Sequence, residues 1–157
     1  MPFCGWIFVG HAVDLDQWRE AMNQHDRMIE RFSELKCRWV LTSRPIERDG
    51  LRLNEAFMWS AESGYQAVRS KWYLPDLPIA RESIWFSQGD RNFSPVSCGP
   101  LRVGFKLCSE MMFLEHSRDW LCQCTPDCAS EGHRRWKAMA SRNGNVCDNV
   151  RLLCRVC

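Results

Sequence analysis

No apolar run in this sequence approaches the roughly 20 residues that a membrane-spanning helix needs, so no helical span is expected. An excess of one charge is missing as well. Twenty-one basic side chains face 19 acidic ones and leave +2 at neutral pH, which removes the electrostatic case for binding nucleic acid. Trp136 does sit among Arg134, Arg135 and Lys137. Four residues are too few for a stacking platform, and a solvated helix face with one buried tryptophan accounts for them. There is no glycine-rich phosphate loop, nucleophile elbow, HExxH or kinase signature. Internal repeats and low-complexity tracts are absent too, which sets repeat architectures aside. The apolar run Trp6 to Val13 has no basic residues before it and ends at Asp14. That is a poor signal peptide and a better first strand, so a reducing, cytoplasmic location is expected.

What is present reads as a soluble α+β protein. The 157 residues suffice for one domain, or one domain with an appendage, and for a proper core. Hydrophobic content of 45% and charged content of 25% are ordinary. The ten cysteines are unevenly spread: Cys4 and Cys37 come early, and the rest begin at Cys98. Pro95 and the Gly99-Pro100 pair punctuate the chain where that density changes. The expected division is a domain over residues 1–94 and a Cys-rich extension over 95–157.

The segment Asp14 to Cys37 organises the rest. Leu15, Trp18, Met22, Ile29 and Phe32 trace one face of a helix, and Asp14 with Gln17 resembles a capping box. The stripe is interrupted by His25. Residues 6–13 are apolar on both parities, as in a strand buried on two faces, with His11 among them. Arg38 to Thr42 predicts a second strand, running through Arg44-Pro45 into the turn Arg48-Asp49-Gly50. From Leu51, the odd positions Leu51, Leu53, Phe57 and Trp59 predict a half-buried strand with one anomaly, Glu55. Ser60 or Ser63 can cap a second helix bearing Tyr65, Val68 and Trp72, ended by Pro75 and Pro78. Ile84, Trp85 and Phe86 read as a short strand. The order is then βαββαβ, a ferredoxin-like sheet with two helices on one face. Its open apolar face must be covered, by a second subunit or by the extension.

Within the extension, Leu101, Val103, Phe105 and Leu107 alternate as a strand does, and Ser109 to Leu121 predicts a helix. Glu131 to Ser141 suggests another short helix. Val146, Val150, Leu152, Cys154 and Val156 share one strand parity beyond the Asn143-Gly144 turn.

Two polar constellations stand out. His25 and Glu55 occupy places where the period demands apolar side chains. A carboxylate on an inner face has a raised pKa and can exchange protons with a neutral imidazole nearby. The alternative is that each makes a structural hydrogen bond. Cys122, Cys124, Cys128 and His133 supply the soft ligands of a tetrahedral zinc site, with Cys147, Cys154 and Cys157 as spare donors. The other reading of these cysteines is free thiols in a reducing compartment.

The run HDRMIERFSELKCRWVLTSRPI, His25 to Ile46, resembles a segment of the YCII-like family, in which a histidine opens HLxRLxxL before a strand and a Gly-Pro. That family forms dimeric α+β barrels from ferredoxin-like protomers, and the resemblance covers residues 6–93. Arg44-Pro45 replaces the Gly-Pro, and Asp76 is followed by Leu77 rather than by proline. The resemblance implies a His–Asp pair formed by His25 and Asp76. The expectation is a homodimer holding a small organic ligand in an apolar cavity, with proton-transfer chemistry by His25 oriented by Asp76 or Glu55. Two other readings stand beside it. One is a non-enzymatic interaction protein built on the Cys/His zinc cluster; the other is a monomer whose extension caps the sheet.

Overall fold

The computed structural model describes residues 12–77 and 80–124. Helix α1, Leu15–Glu30, forms where the apolar period predicts it, and a 3-10 turn over Arg31–Glu34 extends it. The Asp14 carboxylate accepts the amides of Asp16 and Gln17 at 2.9 and 3.0 Å, satisfying donors that a helix start leaves open. Trp18, Ala21, His25 and Phe32 are its buried residues.

Strands β1 (Val40–Arg48), β2 (Leu51–Ser60) and β3 (Gly64–Ser70) follow as an antiparallel meander in the order β1-β2-β3. The β1–β2 hairpin turns on Asp49 and Gly50, both left-handed at φ 53° and 73°, the paired geometry that matches strand twist. Pro45 lies inside β1, opposite Asn54, at an outer strand that can spare an amide. Further on come the short pair β4 (Asp76–Leu77) and β5 (Ala80–Arg81), one helical turn α2 (Glu82–Trp85), and the hairpin of β6 (Val96–Cys98) with β7 (Leu101–Val103). A 3-10 turn over Cys108–Met112 leads into α3, Leu114–Cys124.

The α+β class stands, while the ferredoxin-like expectation gives way to an α-β-β-β order over residues 15–70. The segment predicted as the second helix is β3. Gly64 takes φ 65° in the turn, and the Ser60 hydroxyl accepts the Ser63 amide at 3.1 Å, closing a hairpin rather than capping a helix. Ile84–Phe86, expected as a strand, is mostly the helical turn α2. Residues 6–11 of the expected first strand lie outside the described residues.

Central strand β2 is buried on both faces from Leu53 onward. Phe57 and Trp59 meet Phe32 of the α1 extension, with Phe57 and Phe32 stacked at 6.3 Å. On the opposite face Ala56 and Met58 pack against Cys98, Val103, Phe105 and Leu107. The sheet is thus covered on one side by a helix and on the other by residues 96–107 of the same chain. A β-bulge between the Ala56 and Phe57 pairings puts two residues of β3, Val68 and Arg69, on that second face. Lys71 then follows on the same side.

The 87–90 segment straps this end of β3. The Gly89 amide donates to the Lys71 carbonyl at 2.8 Å, and a Cβ at Gly89 would lie 2.5 Å from the Ser70 carbonyl oxygen. Gly89→Ala is expected to lower stability by about 1–3 kcal/mol, because backbone rather than a flexible side chain must yield. A shift of the urea midpoint measures it, and an unchanged midpoint would mean that the strap is not held there.

Candidate active site

The alternating run Leu101–Leu107 ends at Cys108, which opens the following 3-10 turn with φ 48°. Among the described residues, only Asp49 and Cys108 have positive φ without being glycine. Asp49 has a hairpin turn to explain it. Cys108 has none, and such backbone in a side-chain-bearing residue costs about 1–3 kcal/mol, a strain that clusters at functional sites. Its thiol is free and exposed, whereas Cys98 is free but buried in the core. An extended run that breaks sharply to present a nucleophile is the geometry of an elbow, although no GxSxG pattern announces it.

Beside this elbow lies an ion pair hidden from solvent. Lys71 Nζ donates to Glu82 Oε2, and each residue is 1% exposed. Asn54 Nδ2 donates to the other carboxylate oxygen at 3.4 Å. The Glu82 amide is held by the Pro75 carbonyl at 2.9 Å, which fixes the start of α2 against the end of β3. Burial pushes the Glu82 carboxyl above its ordinary range, while Lys71 and Asn54 oppose that rise. Two desolvated charges are an expensive way to stabilise a core, and such pairs concentrate where chemistry needs them.

Glu110 joins the two features. Its carboxylate accepts the amide of Trp72, next to Lys71, at 2.8 Å, and the amide of Leu107, next to Cys108, at 2.9 Å. Arg69 neutralises it from behind through two bonds of 2.6 and 3.0 Å. The Ser109 hydroxyl donates to the Tyr73 carbonyl at 2.9 Å. The backbones that flank Cys108 and Lys71 are therefore tied to one carboxylate. Around them Tyr73 stacks on Phe113 at 3.8 Å and Phe93 on His116 at 3.7 Å, an aromatic wall with Tyr73 Oη 3.2 Å from His116 Nε2.

The residues singled out from sequence lie elsewhere. His25 and Glu55 are both 1% exposed, as their places in the apolar periods require. His25 Nδ1 donates to the Ala21 carbonyl at 2.8 Å within α1. Glu55 accepts Tyr65 Oη and, at 2.7 Å, Arg48 Nη2. Arg44 spans the two neighbourhoods, pairing with Asp26 at 2.6 Å and lying 5.8 Å over the Tyr65 ring. Asp76 is exposed on β4, 3.9 Å from Arg81. The structure thus gathers His25 and Glu55 at the interface of α1 and the sheet and leaves Asp76 at the surface. Of the proposed zinc ligands, Cys122 and Cys124 fall in the last turns of α3, and Cys128 and His133 lie outside the described residues.

His25 carries a pH signature. Burial lowers its pKa, the Ala21 hydrogen bond opposes, and Arg44 adds to the lowering against Asp26. Between that lowered value and the ordinary one near ~6.5, the native state binds fewer protons than the unfolded chain, so stability rises with pH and is lost on acidification. His25→Leu is expected to shrink the fall in urea midpoint between pH 7 and pH 5. His116, lowered likewise by burial, supplies part of what remains. An unchanged slope would remove His25 from the account.

The chain superposes on a carbon–nitrogen hydrolase from Helicobacter pylori G27 with a TM-score of 0.61, at 21% identity, over 73% of its own length. It shares that hydrolase's fold. It spans 40% of the hydrolase's length, so the likeness concerns one part of that molecule. No family model and no curated protein matches the sequence. The finding overturns the YCII-like resemblance and the dimeric barrel with it. The short histidine motif lies on α1, where His25 takes a buried place in the helix. The ligand cavity expected under a paired sheet, with proton transfer by His25, falls together with that family.

Sequence reasoning passed over Cys108, Lys71, Glu82 and Glu110. One signal for the first was present. A strand-like alternation from Leu101 to Leu107 runs straight into Cys-Ser-Glu, a nucleophile type at the end of a strand.

Proposed function

We propose that the chain is the nucleophile-bearing part of a thiol hydrolase that cleaves carbon–nitrogen bonds of small amides. The observation that carries this is Cys108, strained and exposed just past the 96–107 segment that covers the sheet, its flanking backbone tied through Glu110 to that of Lys71 in the desolvated Lys71–Glu82 pair. The fold shared with a carbon–nitrogen hydrolase agrees with it.

In this reading the Cys108 thiol gives its proton to the Glu82 carboxylate as Sγ attacks the amide carbon. A carboxyl raised by burial suits an acid–base that must both take and return a proton. The Lys71 ammonium faces the oxyanion that develops on the carbonyl oxygen, where a preorganised charge in a dry site acts most strongly. When the C–N bond breaks, the amine leaves with the proton held by Glu82, and the acyl group remains as a thioester on Cys108. Water then adds to the thioester, its proton passes through Glu82 to the sulfur, and the carboxylic acid departs.

Ammonia or amine release from short amides such as acetamide, propionamide and N-methylacetamide tests the reading. Turnover of a panel member that disappears in Cys108→Ala supports it, and turnover equal to that of the native chain in that variant ends it.

A further inference from the structure

We infer that Glu110 is the positioning residue that fixes Cys108 relative to Lys71, so that it governs turnover rather than substrate binding. The inference rests on the thiol-hydrolase reading above.

Glu110 is fully buried, and both of its oxygens are in use. One accepts the Trp72 amide at 2.8 Å, Arg69 Nη2 at 3.0 Å and, more distantly, the Tyr73 amide at 3.4 Å. The other accepts Arg69 Nη1 at 2.6 Å and the Leu107 amide at 2.9 Å. Each oxygen thus holds one of the two backbones that bracket the reacting groups. Arg69 is anchored in turn: its Nε donates to the Asn92 carbonyl at 2.9 Å, and its guanidinium lies 4.0 Å over the Phe93 ring. The carboxylate has a fixed partner behind it and two movable backbones in front.

Only an ionised carboxylate can serve this arrangement, because it offers acceptors on both sides. A glutamine has the same length, yet its NH2 would face either the Leu107 or the Trp72 amide, donor against donor. One of the two backbones must then draw away. A displacement of about 1 Å between reacting groups costs on the order of 100-fold in rate while leaving binding contacts in place. Stability follows a different rule. Removing Arg69 and Glu110 together, in favour of apolar side chains of similar volume, strands no buried charge, so the cost is confined to the amides of Trp72 and Leu107, which lose their acceptor.

The two roles separate in the double variant Arg69→Leu/Glu110→Leu, assayed in the full chain with 4-nitrophenyl acetate, an activated acyl donor that a reactive thiol takes up. Glu110→Gln serves as the second variant. A positioning role requires kcat lower by about 100-fold with KM within about twofold in both, even where the double variant unfolds at the native urea concentration. Full kcat in a stable double variant overturns the inference, as does a change confined to KM. Cys108→Ala in the same assay keeps the two ideas apart. If that variant turns over normally, the thiol reading fails. If it is inactive while the Glu110 variants retain native kcat, only the positioning role is lost.

Discussion

Cys108→Ala is expected to lower turnover by about 10,000-fold or more, since the covalent step of the proposed reaction goes through its sulfur. Cys108→Gly is the more informative partner. Glycine adopts positive φ without the clash that a Cβ suffers, so relief of the strain at φ 48° should raise stability by about 1 kcal/mol while turnover disappears. A protein that gains stability as it loses activity has stored strain at its nucleophile. Cys37→Ala supplies the control, because Cys37 is free and exposed on the segment between α1 and β1. Turnover should be unchanged there. Urea unfolding and amide hydrolysis on the same samples provide both readings. A Cys108→Gly variant that is less stable than the native chain would show that this backbone conformation is not strained, and would weaken the elbow on which the site is built.

The legible parts of this fold are those in which one local rule acts alone. Helix α1 could be read because its apolar period and its Asp14 cap agree, and the β1–β2 hairpin because Asp49-Gly50 is a strong turn between alternating runs. Strand β3 could not. Tyr65, Val68 and Trp72 stand at helical spacing, but in the folded chain Tyr65 packs on Phe57 while Val68 faces the other side of the sheet, where a bulge sets Arg69 beside it. With the bulge hidden, nothing in the sequence singles out Arg69 or Lys71. Their acidic partners Glu110 and Glu82 lie 41 and 11 residues away, distances at which a buried pair and two surface charges look alike in sequence. His25 and Glu55 were legible as buried polar residues for the opposite reason: each breaks a strong apolar period within its own element. Burial is all that such a break reveals, and both are hydrogen-bonded inside the α1–sheet interface. A positive φ leaves no mark in a sequence unless glycine or asparagine occupies it, so Cys108 was one thiol among ten.

The Lys71–Glu82 pair yields the second large effect, on stability as well as on rate. Lys71→Met keeps the length and volume of the side chain but strands a carboxylate that is 1% exposed. Breaking a buried pair in this way costs about 3–5 kcal/mol. The cost should depend on pH with a definite sign. Burial already raises the Glu82 pKa, and Lys71 works against that rise, so its removal raises the value further. Between the unfolded carboxyl value, near ~4.3, and the raised native one, the native state holds the proton more tightly than the unfolded chain does. Stability of Lys71→Met therefore falls as pH increases through that window, and the deficit relative to the native chain is small at pH 4 and largest above neutrality. The double variant Lys71→Met/Glu82→Leu removes the stranded charge. It should return to within about 1 kcal/mol of native stability and lose the added pH slope, because an apolar pair of similar volume carries no desolvation penalty. Turnover should be absent from both, since neither the proton carrier nor the oxyanion's counter-charge is replaced by packing. Urea midpoints at pH 4, 6 and 8 check the first part and amide hydrolysis the second. A double variant that is stable and fully active would make the pair a structural ion bridge and would separate it from the chemistry at Cys108.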